Sequence, residues 1–224
     1  MFRCPRSSGV RASATVLHNA LVEVGEPASF PAQSAFSFEI DPEFPGSGDW
    51  GMPVFRFSQQ GRIEEDQESV WGTPFVVRVE PRGAPAWVGM FGSGGGGGLR
   101  GAYQCPTPTD LAVIVDGLPY VVDVRQAELS VRTAPVHVVQ VVVVPEPPLL
   151  LLVGFTNMVA LGSDGIAWSS RRLCVDDLRV IGISPSGIVC SCDNLGGSAT
   201  ITVDPTTGEQ TEGTTMGDLG WPGE

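Results

Sequence analysis

Twenty consecutive residues, Val136 to Phe155, are almost wholly apolar, and Pro145, Glu146, Pro147 and Pro148 stand at their centre. The length suits a membrane-spanning helix. Three prolines within four residues rule that helix out, because each removes a backbone donor and hydrocarbon offers no water to satisfy the freed groups. His137 and Gln140 add further polar groups to the same stretch. The segment is expected to form two short buried strands joined by a rigid turn, and no membrane span is expected.

The same pattern runs along the chain. Phe36, Phe38 and Ile40 alternate with Ser37 and Glu39, Phe55 and Phe57 flank Arg56, and Phe75, Val77 and Val79 alternate with Val76, Arg78 and Glu80. A period of two with one polar face is the pattern of a half-buried strand. Later runs are apolar on both faces: Leu111–Val115, Tyr120–Val124, Val138–Val144, Leu149–Val153 and Leu178–Ile183. Such runs suit central strands covered on both sides. Between them stand Asp116-Gly117, Ser163-Asp164-Gly165, Ser184-Pro185-Ser186-Gly187 and Asp204-Pro205-Thr206-Thr207-Gly208. Asp bends its own backbone, Pro presets φ and Gly accepts positive φ, so these are hairpin connections. The 29 Gly and 19 Pro make up about a fifth of the 224 residues, well above ordinary usage. The expected fold is all-β and antiparallel, as blade-like units (a partial or small propeller-like arrangement) or as a β-sandwich.

Five regions follow from these shifts in composition. Residues 1–25 form a poorly ordered or short helical segment, 26–91 an amphipathic β region, 92–98 a flexible Gly-rich loop, 99–209 blade-like β repeats and 210–224 a flexible tail. In the first region Ser13 caps an amphipathic spacing of Leu17, Ala20, Leu21 and Val24, and Arg3, Arg6 and Arg11 precede any acid. That profile suits a docked helix, a frayed terminus or an organelle presequence, and it lacks the continuous apolar run of a secretory signal.

Charge and cysteine usage narrow the partners. The formal net charge is −12, and every one of the 13 basic residues is Arg. Counterion release at phosphates needs a basic stripe. The clusters Arg171, Arg172, Arg179 and Arg3, Arg6, Arg11 carry no interleaved aromatics, so nucleic acid is not an expected partner. Cys4, Cys105, Cys174, Cys190 and Cys192 include no CxxC pair. Cys190 and Cys192 would share one strand face. Buried reduced thiols, and with them a cytoplasmic compartment, are expected.

No assembled chemistry is visible. The histidines are His18 and His137; a Cys105 or Cys174 pairing with His137 has no local support, and no GxSxG elbow occurs. HExxH and calcium-loop patterns are absent, the Gly92–Gly98 run lacks the Lys of a phosphate loop, and Asp176-Asp177 is expected in a solvated turn. No metal or cofactor is expected, and no catalytic residue can be named. Trp50, Trp71 and Trp87 lie beside Gly or Pro in loop-like sequence, where an indole can stack on a ligand or anchor a partner.

The second half carries a weak period near 40 residues: Val138–Val144 and Leu178–Ile183 each lead a turn and two further apolar runs. Propeller blades have that period. Within it, Val159–Trp168 (VALGSDGIAW) and Val203–Glu209 (VDPTTGE) resemble strand–turn–strand pieces of quinoprotein-type propeller blades. The resemblance covers residues 149–208, which also resemble uncharacterised bacterial all-β proteins. It implies blade-like sheets and carries no quinone or metal ligand onto this chain. The expected function is a non-catalytic protein-interaction or binding module with an acidic surface, possible partners being basic proteins. The alternatives are a carboxylate-based hydrolase whose acids converge only in the fold, and a carbohydrate-binding β domain that uses loop tryptophans.

Overall fold

A computed structural model describes residues 30, 35–63, 73–93, 97–131, 136–184 and 186–220. Among them are seventeen strands and no helix, so no helix is long and apolar enough to cross a membrane. The strands form four separate sheets, laid down in chain order.

The first sheet contains β1 (Phe36–Ile40), β2 (Val54–Ser58), β3 (Gly61–Ile63), β4 (Phe75–Pro81) and β5 (Trp87–Phe91), in the order β1-β4-β5-β2-β3. The pairing of β2 with β5 is parallel, and the other pairings among the described residues are antiparallel, as expected for this all-β fold. The chain leaves β1 at one edge and enters β2 beyond β5, and β4, next in sequence after β3, lies between β1 and β5.

The other three sheets are simple meanders. The second holds β6 (Gly101–Gln104), β7 (Asp110–Val115), β8 (Leu118–Asp123) and β9 (Glu128–Val131). The third holds β10 (Gln140–Val144), β11 (Leu149–Val153), β12 (Met158–Gly162) and β13 (Gly165–Ser169). The fourth holds β14 (Asp176–Ser184), β15 (Gly187–Asn194), β16 (Gly197–Val203) and β17 (Gln210–Glu212). Each is antiparallel in sequence order. The Pro145–Pro148 turn joins β10 to β11, as the proline cluster requires. Asp116 and Gly117 both take positive φ, +50° and +81°, the geometry of a two-residue hairpin whose twist matches its strands.

Alternation along the apolar runs explains how the sheets stack. Leu111, Val113 and Val115 pack with Phe57, Phe75 and Phe91 of the first sheet. Ala112 and Ile114 on the other face of β7 pack with Leu150 and Leu152 of the third. Leu149, Leu151 and Val153 then face Leu178, Ile188 and Ile201 of the fourth. Three cores thus lie between four sheets, and the two middle sheets are buried on both faces because successive side chains point to opposite sides. The fourth sheet's far face carries Ser191, Asp193, Ser198 and Thr200, the cross-strand partners that do not enter the core.

Side chains also join the sheets. The Gln140 amide of β10 receives the Val180 N–H at 2.9 Å and donates to the Val180 carbonyl at 3.1 Å, as a neighbouring strand would. Two expected boundaries change. Residues 210–212 are not tail: they form β17, bonded to β16, with Thr211 Oγ1 donating to the Thr202 carbonyl at 3.3 Å. Nor does the start of the Gly92–Gly98 run hang free, since the Tyr120 hydroxyl donates to the Gly92 carbonyl at 2.8 Å and Ser93 Oγ to Asp116. The segment 1–25, the Glu64–Glu68 acids and the centre of that Gly run lie outside the described residues.

Candidate functional site

Sheet stacking sets the geometry of one end of the molecule. Trp87 opens β5, is 3% exposed, and sends its indole N–H 2.8 Å to the carbonyl of Val124, beyond the end of β8 in the second sheet. Trp168 of β13 is 7% exposed and sends its indole N–H 2.8 Å to the carbonyl of Pro205, beyond the end of β16 in the fourth. The receiving turns share one construction. Asp123 Oδ1 accepts the N–H groups of Arg125 and Gln126, and the Ala127 N–H closes onto the Asp123 carbonyl at 2.9 Å. Asp204 Oδ1 accepts those of Thr206 and Thr207, and the Gly208 N–H closes onto the Asp204 carbonyl at 2.9 Å. Ala127 and Gly208 both take positive φ.

Among the described residues the interface between the second and third sheets lacks this joint. In β9, Val131 pairs with Val121, and the β8–β9 register shifts between Val121 and Val122. In β13, Trp168 pairs with Ala160, and the β12–β13 register shifts between Ala160 and Leu161. Val131 therefore occupies in the second sheet the place that Trp168 occupies in the third. The turn it faces is also shorter, a tight Ser163-Asp164 hairpin, and its Gly162 and Ser163 carbonyls already accept from Thr107 Oγ1 at 3.1 and 3.2 Å.

A cleft of about 530 Å³, open to solvent, lies at this interrupted joint. Its walls include Val131 and Ile166, the hydroxyls of Thr107, Ser130 and Ser163, and the carboxylates of Asp110, Asp123 and Asp164. Asp110 and Asp123 are direct cross-strand partners on the face of β7 and β8 that meets the third sheet. Asp110 is 6% exposed; burial raises its carboxyl above the usual range and the Asp123 charge adds to the rise, while a Ser130 hydrogen bond opposes both. No Arg or His among the described residues lines the cleft. Among the described residues no three acid, Cys or His side chains are grouped to hold a metal ion.

Of the three sequence-predicted indoles, Trp87 is a strand residue in the core and cannot stack on a ligand. Its placement in a loop is corrected here: Gly83 and Pro85 end the preceding turn, and Gly89 leaves room on one strand face for the Trp87 and Phe91 rings. Trp50 is half-buried, with its ring edge-on to Phe44 at 5.3 Å. Trp71 lies outside the described residues, as do His18 and Cys4.

The nucleophile candidates are structural. His137 is exposed and stacked on Phe155 with ring centroids 5.5 Å apart. The Cys174 thiol is held by the Phe155 and Asp176 carbonyls. Burial pushes Cys174 and Cys190 up to about 12 and also raises Cys105 and Cys192, so all four remain thiols at neutral pH. Asp116, 4% exposed, is engaged by Ser93 and by a two-pronged Arg100 contact at 2.7 and 3.0 Å. Asp176 and Asp177 open β14 in place of a solvated turn, although Asp177 keeps a turn-like φ of +49° and contacts Arg179 at 3.1 Å.

The acids of the cleft were not singled out in the sequence. No protein-family model matches the chain, and neither the curated proteins nor the solved structures hold a match.

Proposed function

We propose that this chain is a non-catalytic binding module whose recognition site is the cleft between its second and third sheets. One observation carries the reading: the packing joint made by an indole at the two flanking interfaces is replaced by an open, polar-rimmed cleft at the middle one. The polar groups around it are held in place by the backbone. Asp123 is fixed by two turn N–H groups and Thr107 by two carbonyls, and a rigid rim lowers the ordering cost of binding. Its size falls in the range of small-molecule sites. The quinoprotein-type blade reading of residues 149–208 also stands as a proposal, supported by Trp168 and Gly208 meeting at the joint between the two quoted segments.

A second reading, carboxylate-based hydrolysis, is favoured by the opposed Asp110 and Asp123, one of them raised and buried. Paired carboxyls with separated affinities for a proton are the usual acid–base arrangement.

Amide-resolved NMR titration with a fragment library of sugars, amines and carboxylates tests the first reading. Shifts confined to residues 107–110, 123, 130–131 and 163–166 are expected. Shifts mapping elsewhere, or none, would overturn it. Turnover of chromogenic glycosides or esters that disappears in Asp110→Asn would instead establish the second.

A further inference from the structure

We propose that the cleft takes a compact aromatic ammonium ion, with its ring in the position the Trp168 indole holds at the next interface and its cation among Asp110, Asp123 and Asp164. The inference rests on the cleft being the recognition site and adds the chemistry of its occupant.

The shape argument comes from the register. The β9 position that would project an aromatic ring between the second and third sheets holds Val131. Ile166 on the facing strand is 40% exposed. A Cβ at Gly165 in the turn before it would meet only Val131, at 3.9 Å, whereas one at Gly208 would lie 2.3 Å from the Trp168 indole, so room for a ring is left beside Val131 and Ile166. A flat ring replaces the missing side chain without moving either sheet.

The charge argument is independent of shape. Three carboxylates and four hydroxyl-bearing residues rim the cleft, and among the described residues no basic group lines it. An anion would meet like charge from Asp110, Asp123 and Asp164, and a neutral ring would leave the two opposed carboxylates uncompensated. An ammonium group offsets the repulsion between Asp110 and Asp123 and adds a charged donor to acceptors otherwise engaged by Ser130, Ser163 and the Asp123 turn. The chain's net charge of −12 draws a cation toward the site from a distance.

Tryptamine, its neutral analogue tryptophol and the anion indole-3-propionate separate the two arguments. Titrations on the full chain are read by calorimetry and amide NMR at low and raised salt. Saturable one-to-one binding of tryptamine is expected, with shifts at Val131, Ser163 and Ile166. Tryptophol should bind about tenfold more weakly, indole-3-propionate not at all, and salt should weaken tryptamine. Val131→Trp should fill the slot and abolish binding. Should that variant fail to fold, Asp164→Asn at the exposed rim serves instead and should weaken tryptamine several-fold while leaving tryptophol unchanged. Tryptamine that does not saturate by about 10 mM, or that binds Val131→Trp as well as the parent, overturns the inference. If sugars or neutral fragments shift the cleft amides while tryptamine does not, this inference fails and the binding-module reading stands. If nothing shifts them, both fail.

Discussion

The indole nitrogen of Trp168 donates a 2.8 Å hydrogen bond to the carbonyl of Pro205, 37 residues ahead, and the bond between Trp87 and Val124 spans the same 37. Each ties a strand of one sheet to a turn of the next. An aromatic ring supplies a large buried surface and a single donor, so it can lock a turn that the two sheet cores alone would leave loose.

Trp168→Phe keeps the ring and removes the donor, leaving the Pro205 carbonyl unpaired in a half-buried turn. The expected cost is about 1–2 kcal/mol, against about 3–5 kcal/mol for Trp168→Ala. Gly208→Ala tests the same joint from the other side. Its Cβ would sit 2.3 Å from the indole at a φ of +73°, so it should destabilise by more than the Phe variant. Urea unfolding followed by fluorescence and by circular dichroism ranks the three. A Gly208→Ala protein as stable as the parent would contradict the packing of this joint.

Leu150 and Leu151 are adjacent in sequence, both fully buried, and lie in different cores. Each Leu→Ala change should cost about 2–5 kcal/mol through lost transfer energy and a cavity. Because the cavities open on opposite faces of β11 and share no lining, the double variant should lose the sum to within about 0.5 kcal/mol. Chemical denaturation of the two single variants and the double variant measures this. Strong coupling would mean that the third sheet shifts as a body.

Much of this stacking was legible in the sequence. The unbroken Leu149–Val153 run signalled a strand covered on both sides, and the Pro145–Pro148 cluster and Asp116-Gly117 marked turns by residue chemistry alone. The misplaced elements have local causes. Trp87 follows Gly83 and Pro85 and precedes Gly89, so its surroundings looked like a loop, although Gly89 is what lets two large rings share one strand face. Gln210–Glu212 is too short and polar to announce a strand, and pairing with β16 alone creates it. The cleft was illegible for a different reason. Asp110 and Asp123 meet only through the β7–β8 register, and the significance of Val131 depends on knowing that Trp168 occupies the matching position one sheet later.

Asp116 supplies a pH test at the opposite end of the sheets. Its hydrogen bond from Arg100, assisted by Ser93, holds its carboxyl below the usual range despite the opposing effect of burial. A folded value below the unfolded one, about 3.9, gives stability that is complete above that value and is lost as pH falls through the folded value. Asp116→Asn should therefore be less stable at pH 7, by about 1–2 kcal/mol once the partial exposure of Arg100 is discounted. The gap from the parent should begin to narrow below about pH 4 and close as pH falls through the lower folded value, where Asp116 itself takes up a proton. Thermal melts across pH 2.5–7 check the sign, and a gap that widens on acidification would refute it.

Asp110 has the opposite sign. Burial, then the charge of Asp123, raises its carboxyl above the usual range, and the Ser130 hydrogen bond offsets only part of this. The folded state then holds that proton more tightly than the unfolded chain does. Its contribution to stability is present below the unfolded value and is lost as pH rises through the folded one. At neutral pH the parent carries the cost of a buried carboxylate facing another acid. Asp110→Asn removes the charge, keeps an acceptor for Ser130, and should raise the melting temperature at pH 7. For a chain of this size each kcal/mol corresponds to about 2–4 °C. The gain should vanish near pH 3, where both proteins are neutral at this position. If the site binds a cation, tryptamine should also narrow the pH 7 gap, since it stabilises the charged parent and has less to hold in the variant. A variant less stable than the parent at pH 7 would mean that Asp110 is held as a useful carboxylate, and would shift weight to the acid–base reading of the pair.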